Sequence, residues 1–163
     1  MKKTLKRRRK ENKTDYQKRI KLLKGGSPRI VFRKTNKYIL GQYIVSKEAQ
    51  DEIKKTVCSV KLLNYGWPKE RAGSLKSITA AYFTGFLLGK EIIKEKMKKP
   101  ILDFGMHIVL HKSKAYAFMK GLLDAGIDIK HKKETLPEEE RIQGKHLKNN
   151  IPFKEIKLKI EKL

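Results

Sequence analysis

A chain of 163 residues is long enough to fold as one domain around a core. Its 41 Lys and Arg stand against 17 Asp and Glu, a formal net charge of +24, which excludes a merely solubilising surface and points to a polyanionic partner. One cysteine, Cys58, excludes an internal disulfide and a cysteine-based zinc cluster; no apolar run approaches the roughly 20 residues of a membrane span or follows the N-terminal charges as a signal peptide would. Nucleic acid is therefore the expected partner, with no membrane, in a cytoplasmic chain.

Residues 1–24 hold twelve Lys and Arg against two acids, Glu11 and Asp15. Residues 1–13 lack hydrophobic periodicity and are expected to form a disordered basic arm. Thr14 and Gln17 have capping-box spacing, Asp15 falls in the first turn, and Tyr16, Ile20 and Leu23 form one helical stripe before Gly25-Gly26. In "PRIVFRKTNKYILGQYIV", Ile30 and Phe32 share one strand face, Val31 and Arg33 the other. A second strand is expected over Tyr38–Val45. Lys34-Thr35-Asn36-Lys37 would form the turn between them, with Asn36 able to take a left-handed conformation.

The polar stretch "SKEAQDEIKK" reads as an exposed connection, "TVCSVKLL" as a third strand, and 64–73 as a loop. A long helix is expected from Ser77 to about Lys98, with Ile78, Phe83, Phe86, Leu87, Ile93 and Met97 on its apolar face and Pro100 ending it. "ILDFG", 101–105, resembles a strand buried on both faces. Ser113 can start a helix carrying Phe118, Met119 and Leu122 that stops at Gly126. Pro137 and the three following glutamates mark another helix start. From Lys154 the chain is a charged amphipathic stub.

The expected fold class is α+β: a three-stranded antiparallel meander, extended by a strand after a long crossover helix, with helices on one sheet face. The expected organisation is a basic arm over 1–13, one RNA-binding domain over 14–148, and a charged tail over 149–163.

Catalytic groups do not converge in this pattern. His107 and His111 are four apart but lack a third ligand at metal-binding spacing. Asp103 is the best candidate acid, yet a metal-dependent nuclease needs further carboxylates, and Glu91 and Asp124 carry no motif. "GFLLG" has small-xxx-small spacing; with polar flanks it suggests close packing against a strand or a nucleic-acid backbone, not a membrane dimer. Positive evidence lies elsewhere. Arg29, Arg33, Lys34 and Lys37 crowd the hairpin, and Tyr38, Tyr43, Tyr65 and Trp67 are interleaved with cations, the residue types that bind phosphates and stack on unpaired bases. Phe32 and Tyr43 are expected in the core.

"RRRKENKTDYQKRIKLLKGGSPRIVFRKTNKYILGQYI", "NYGWPKERAGSLKSITAAYFTGFLLGK", "ILDFGMH", "AFMKGLLDAGIDI" and "PEEERIQGKHL" together resemble the large-subunit ribosomal protein family L-eighteen in its archaeal form, whose eukaryotic counterpart is L-five. The resemblance covers nearly the whole chain, in order. It implies a structural protein without catalysis, metal or cofactor, and without a small-molecule substrate. It would bind 5S ribosomal RNA and help attach it to large-subunit ribosomal RNA in the central protuberance, beside other ribosomal proteins. The RNA-contacting residues so implied are Lys6, Arg7, Arg8, Arg9, Lys10, Lys13, Thr14, Tyr16 and Arg19 on the arm and first helix. On the sheet they are Arg29, Arg33, Lys34, Thr35, Asn36 and Gln42, with Trp67 added from its loop. Lys37 joins them as a hairpin cation. The rival readings are a metal-dependent RNA-processing enzyme using Asp103 and a DNA-compacting protein.

Overall fold

Residues 4–48, 50–145 and 151–163 are described by a computed structural model. Residues 1–3 of the arm, Ala49 of the polar connection and the expected boundary at 148/149 lie outside the described residues. The elements are α1 (Arg7–Lys10), α2 (Tyr16–Lys24), β1 (Arg29–Lys34), β2 (Ile39–Lys47), β3 (Gln50–Cys58), α3 (Ile78–Lys94), β4 (Ile101–Asp103), α4 (Lys114–Ala125), α5 (Glu139–Gln143) and α6 (Phe153–Glu161). Tight 3₁₀ turns fill Ser59–Tyr65, Lys69–Ser74 and Lys133–Thr135.

The four strands form one sheet in the order β3-β2-β1-β4. β1–β2 and β2–β3 pair antiparallel, and β4 runs parallel to β1 after the α3 crossover. Period-two alternation divides the sheet. Ile30, Phe32, Ile39 and Tyr43 are buried in the core, whereas Arg33 on the alternate face of β1 is exposed. α3 and α4 cover the core face, giving the expected α+β layering.

The third strand falls earlier than its apolar pattern suggests. It occupies the polar stretch Gln50–Cys58, while Ser59–Tyr65 turns away as 3₁₀. β3 is an edge strand whose first five residues are exposed, so charge is tolerated there and no hydrophobic alternation marks it. The Ser59 hydroxyl accepts the Ile39 amide at 3.1 Å, where the ladder ends. β4 is likewise an edge strand, with Ile101 39 % exposed, and not the strand buried on both faces that its composition suggests. The hairpin tip is closed by the Thr35 side chain, which accepts the Tyr38 amide and donates to the Tyr38 carbonyl, both at 2.9 Å. Asn36 does not adopt a left-handed conformation.

α2 begins one residue later than the capping-box spacing implies. Asp15 is the N-cap, accepting from the Gln17 and Lys18 amides, and Thr14 instead accepts the Arg8 Nε. α3 stops at Lys94, four residues short of expectation, and leaves Ile93 exposed. Residues 7–10 form one helical turn within the segment read as an arm. The segment read as a charged tail contributes Ile151, Ile156 and Ile160 to the core. Its cations lie on the outer side of α6, which hides the inward stripe in a count of charge.

α3 and α4 run side by side at backbone contact. The small-residue spacing of Gly85 and Gly89 serves this pair, not a strand or a nucleic acid. A Cβ on Gly85 would stand 2.1 Å from the Phe118 carbonyl oxygen. One on Gly121 would stand 2.1 Å from the Tyr82 carbonyl oxygen and 2.8 Å from the Phe86 nitrogen. Both obstacles are backbone and cannot rotate away. Gly121→Ala is expected to lower unfolding free energy by about 2 kcal/mol or more, because overpacking outweighs the roughly 1 kcal/mol that alanine gains in helix propensity. Urea unfolding followed by circular dichroism checks this.

Candidate nucleic-acid interface

The sheet face opposite α3 and α4 is organised by a buried arginine. Arg29 leaves β1 on this face, and its side chain is only 3% exposed. Nη1 donates to Asp103 Oδ2 on β4 at 3.0 Å; Nη2 donates to Asp51 Oδ1 on β3 at 2.8 Å and to Ser46 Oγ on β2 at 3.1 Å. Ser46 donates in turn to Asp51 at 2.7 Å, and Arg19 of α2 donates to the other Asp51 oxygen at 2.8 Å. Asp103 Oδ1 accepts the Gly105 amide at 2.8 Å, fixing the loop after β4. One guanidinium thus joins all four strands, and Asp51 brings in α2. Burial alone would raise the Asp51 pKa; hydrogen bonds from Arg19 and Ser46 and the Arg29 charge reverse this and hold it below its ordinary 3.8. The stability this carboxylate gives is present above that value and is lost as pH falls through its depressed folded pKa.

Between this anchored face and the arm with α2 lies an open cleft of about 760 Å³. Its lining includes seven Lys and Arg (Arg8, Lys13, Lys18, Arg19, Arg29, Arg33 and Lys34) against three Asp. All three acids are committed: Asp15 caps α2, and Asp51 and Asp103 hold arginines. The cleft therefore presents a positive field, focused by its walls. Lys18 Nζ reaches the Gly105 carbonyl at 3.3 Å, and Arg9 Nη1 meets Met106 Sδ at 3.3 Å, so arm and α2 both touch the loop after β4.

A second concentration of charge lies where β1 ends. Burial first, then the Lys34 charge, holds the His107 pKa below 6.5. Lys114 is pulled below 10.5 by burial, then by Lys34 and Lys76. Lys76 precedes the N-cap of α3 and Lys114 opens α4, so two helix N-termini add their dipoles to these repelling cations.

Among the residues expected to contact RNA, Lys6, Arg7, Arg8, Lys10, Lys13, Arg33, Lys34, Thr35, Asn36 and Lys37 are exposed. Lys6 sits over the Tyr16 ring at 4.8 Å, Lys13 pairs with Glu11 at 2.7 Å, and Gln42 donates to Thr56 at 3.4 Å on the open face. Two expectations are corrected. Arg29 lines the cleft but is the buried network centre, with its guanidinium nitrogens spent on Asp103, Asp51 and Ser46. Trp67 is 2% exposed and donates Nε1–H to the Arg71 carbonyl at 3.2 Å, so no base can reach its ring. Lys18, Lys76, His107 and Lys114 were missing from the expected set. They are scattered along the sequence, and only the parallel β1–β4 pairing and the adjacent helix starts bring them to one side.

The acids considered for catalysis are dispersed into separate partnerships. Asp103 holds Arg29, Glu91 pairs with Lys61 at 3.5 Å, and Asp124 accepts the Tyr82 hydroxyl at 2.8 Å. Among the described residues no group of three or more His, Cys, Asp and Glu could hold a metal ion, and no helix is long and apolar enough to cross a membrane.

Comparison with known proteins places this basic α+β chain among the structural proteins of the large ribosomal subunit, a class that works in the cytoplasm and is not enzymatic. It belongs to the family described as ribosomal large subunit proteins 60S L5 and 50S L18, whose model matches residues 2–100. The large ribosomal subunit protein uL18 of Korarchaeum cryptofilum is 45% identical over 141 residues, 86% of this chain and 70% of that protein. The protein of the same name from Methanothermobacter thermautotrophicus is 38% identical over 141 residues, 86% of this chain and 71% of its own.

Arg29→Met is expected to lower unfolding free energy by about 3 kcal/mol, since it strands Asp103 and Asp51 on a face they were built to share. Combining it with Asp103→Asn should recover part of that loss in the same denaturant titration, because the carboxylate left behind is then neutral.

Proposed function

We propose that this chain binds 5S ribosomal RNA and helps attach it to large-subunit ribosomal RNA in the central protuberance, beside neighbouring ribosomal proteins. The observation that carries the reading is the cationic cleft bounded by the arm, α2 and the open sheet face, whose lining acids Asp15, Asp51 and Asp103 are already committed to the fold. The family-like stretches at Arg7–Ile44 and Ile101–His107 supply both walls of that cleft.

In this mechanism the sheet and α2 form a preset frame. Arg8, Lys13, Lys18, Arg33 and Lys34 take phosphates along the cleft, with Lys6, Arg7 and Lys10 extending the track and Lys37 at the hairpin tip. Counterions released from the RNA supply much of the affinity. Thr14, Thr35, Asn36 and Gln42 offer polar groups, and Tyr16 an aromatic face, to unpaired nucleotides. Arg19, already bound to Asp51, positions α2 and lends its charge. RNA shape then gives the selectivity.

Competition filter binding tests the partner: 5S RNA should be retained over duplex DNA of equal charge, and equal retention would contradict the proposal. Lys18→Ala and Lys34→Ala should each reduce the slope of log affinity against log salt by about 1, and deletion of residues 1–13 by more, with the fold retained.

His107 supplies a pH test. Its folded pKa lies below 6.5, so protonation opposes the folded state and stability falls as pH drops through that lowered pKa. Phosphates beside Lys34 would cancel the repulsion and move the pKa back up, so binding would take up a proton. RNA affinity should rise as pH falls through the window below 6.5, and His107→Gln should flatten that rise.

A further inference from the structure

A further depression, beside β4, has different chemistry. It is an open groove of about 750 Å³ with an apolar floor of Leu102, Phe104, Tyr116, Met119 and Ile129. Tyr116 is held between the Phe104 ring at 6.3 Å and the His111 ring, edge-on, at 6.0 Å. The loop joining Phe104 to His111 also carries Ile108 and Leu110, 80% and 68% exposed, apolar area that neither the core nor the cationic cleft uses.

The groove runs along an unpaired strand. β4 ends the sheet order, and its other edge is taken by β1. Ile101 donates its amide inward to Pro28 at 2.8 Å, and Leu102 is in register with Ile30. In a parallel ladder, alternate residues point their amide and carbonyl the other way, so those of Leu102 face outward at the groove margin. Lys99, Lys130 and Lys132 make the rim cationic, with His111 and His131 beside them, and among the described residues its one acid, Asp128, is paired with Lys99.

From these features we infer that the β4 groove is a docking site for an extended segment of a second protein chain, one that alternates apolar and acidic residues. Such a segment adds a short strand to β4 through the Leu102 amide and carbonyl. Its apolar side chains settle against Tyr116 and Met119, and its carboxylates meet the lysine rim. Nucleic acid suits the groove less well. Phosphates would find cations only at the rim, and the floor is made of aliphatic and aromatic side chains with few donors to read a base. The inference stands on the groove alone and is independent of the 5S RNA assignment.

The test uses the full chain, isotope-labelled, and three probes: a synthetic peptide alternating Glu with Ile and Phe, its Lys-for-Glu counterpart, and a single-stranded oligoribonucleotide. The acidic peptide should shift the Leu102, Tyr116 and Ile129 amide resonances, and its affinity should exceed that of the basic peptide. Reversing the exposed rim with Lys130→Glu and Lys132→Glu should weaken the acidic peptide by about tenfold while leaving RNA binding within about twofold. Leu102→Pro removes the outward amide but no inward ladder donor, and should weaken the peptide at a position where an edge strand tolerates proline. No shift at those amides up to roughly 1 mM peptide, equal binding of the two peptides, or shifts produced by the oligoribonucleotide instead would each overturn the inference.

Discussion

A single buried guanidinium fixes the geometry on which the open face of this protein depends. Arg29 carries its charge under the sheet surface and distributes it between a carboxylate on each edge strand, Asp51 and Asp103, with Ser46 between. Neither edge strand is secured by burial: β3 is mostly exposed and β4 has three residues. The ionic network supplies what hydrophobic burial does not, and the Arg19 bond extends it to α2. A buried charge of this kind is weak evidence for added stability, because desolvation offsets the attraction. What it supplies here is position: the two walls of the cationic cleft have a defined separation because they share one set of hydrogen bonds.

The same arrangement resolves the charge problem posed by a chain with a net charge of +24. The three acids lining the cleft are spent internally, on arginines and a helix N-terminus, and apart from the exposed Glu11 pairs with Arg7 and Lys13 the arm and cleft cations outnumber the acids beside them. Burial first, and then the Lys34 charge beside both groups, holds the His107 and Lys114 pKa values down, so crowding of like charge adds to the cost of burying them. Repulsion of that sort is relieved by a polyanion and by little else. On the opposite side, α3 and α4 pack at backbone distance through Gly85 and Gly121, with no room for a side chain at either position.

Much of this was legible in the sequence where one periodicity dominated. β1, β2, α3 and α4 follow their apolar patterns, and the order of elements gave the mixed sheet. β3 was misplaced because an exposed edge strand needs no hydrophobic face, so its Asp, Glu and Lys read as a connection. The role of Arg29 was hidden for a related reason. A buried ion pair between residues 74 positions apart leaves no local signature, and an arginine among basic neighbours looks like one more phosphate ligand. Trp67 misled in the opposite sense: flanked by Gly66, Pro68 and lysine it read as a loop aromatic, but its ring fills the core and its N–H is satisfied by the loop itself. The cationic arm and hairpin were visible as composition; their meeting with Lys18, Lys76, His107 and Lys114 required the topology.

The central claim is that RNA lies in the cleft between the arm with α2 and the open sheet face. Ultraviolet cross-linking of the intact chain to 5S RNA, with the linked residues identified by mass spectrometry, addresses it directly. The account predicts cross-links concentrated at Lys18, Lys34, His107 and the arm. Cross-links confined to α6 and the 3₁₀ turn at 59–65, with none in the cleft, would contradict it.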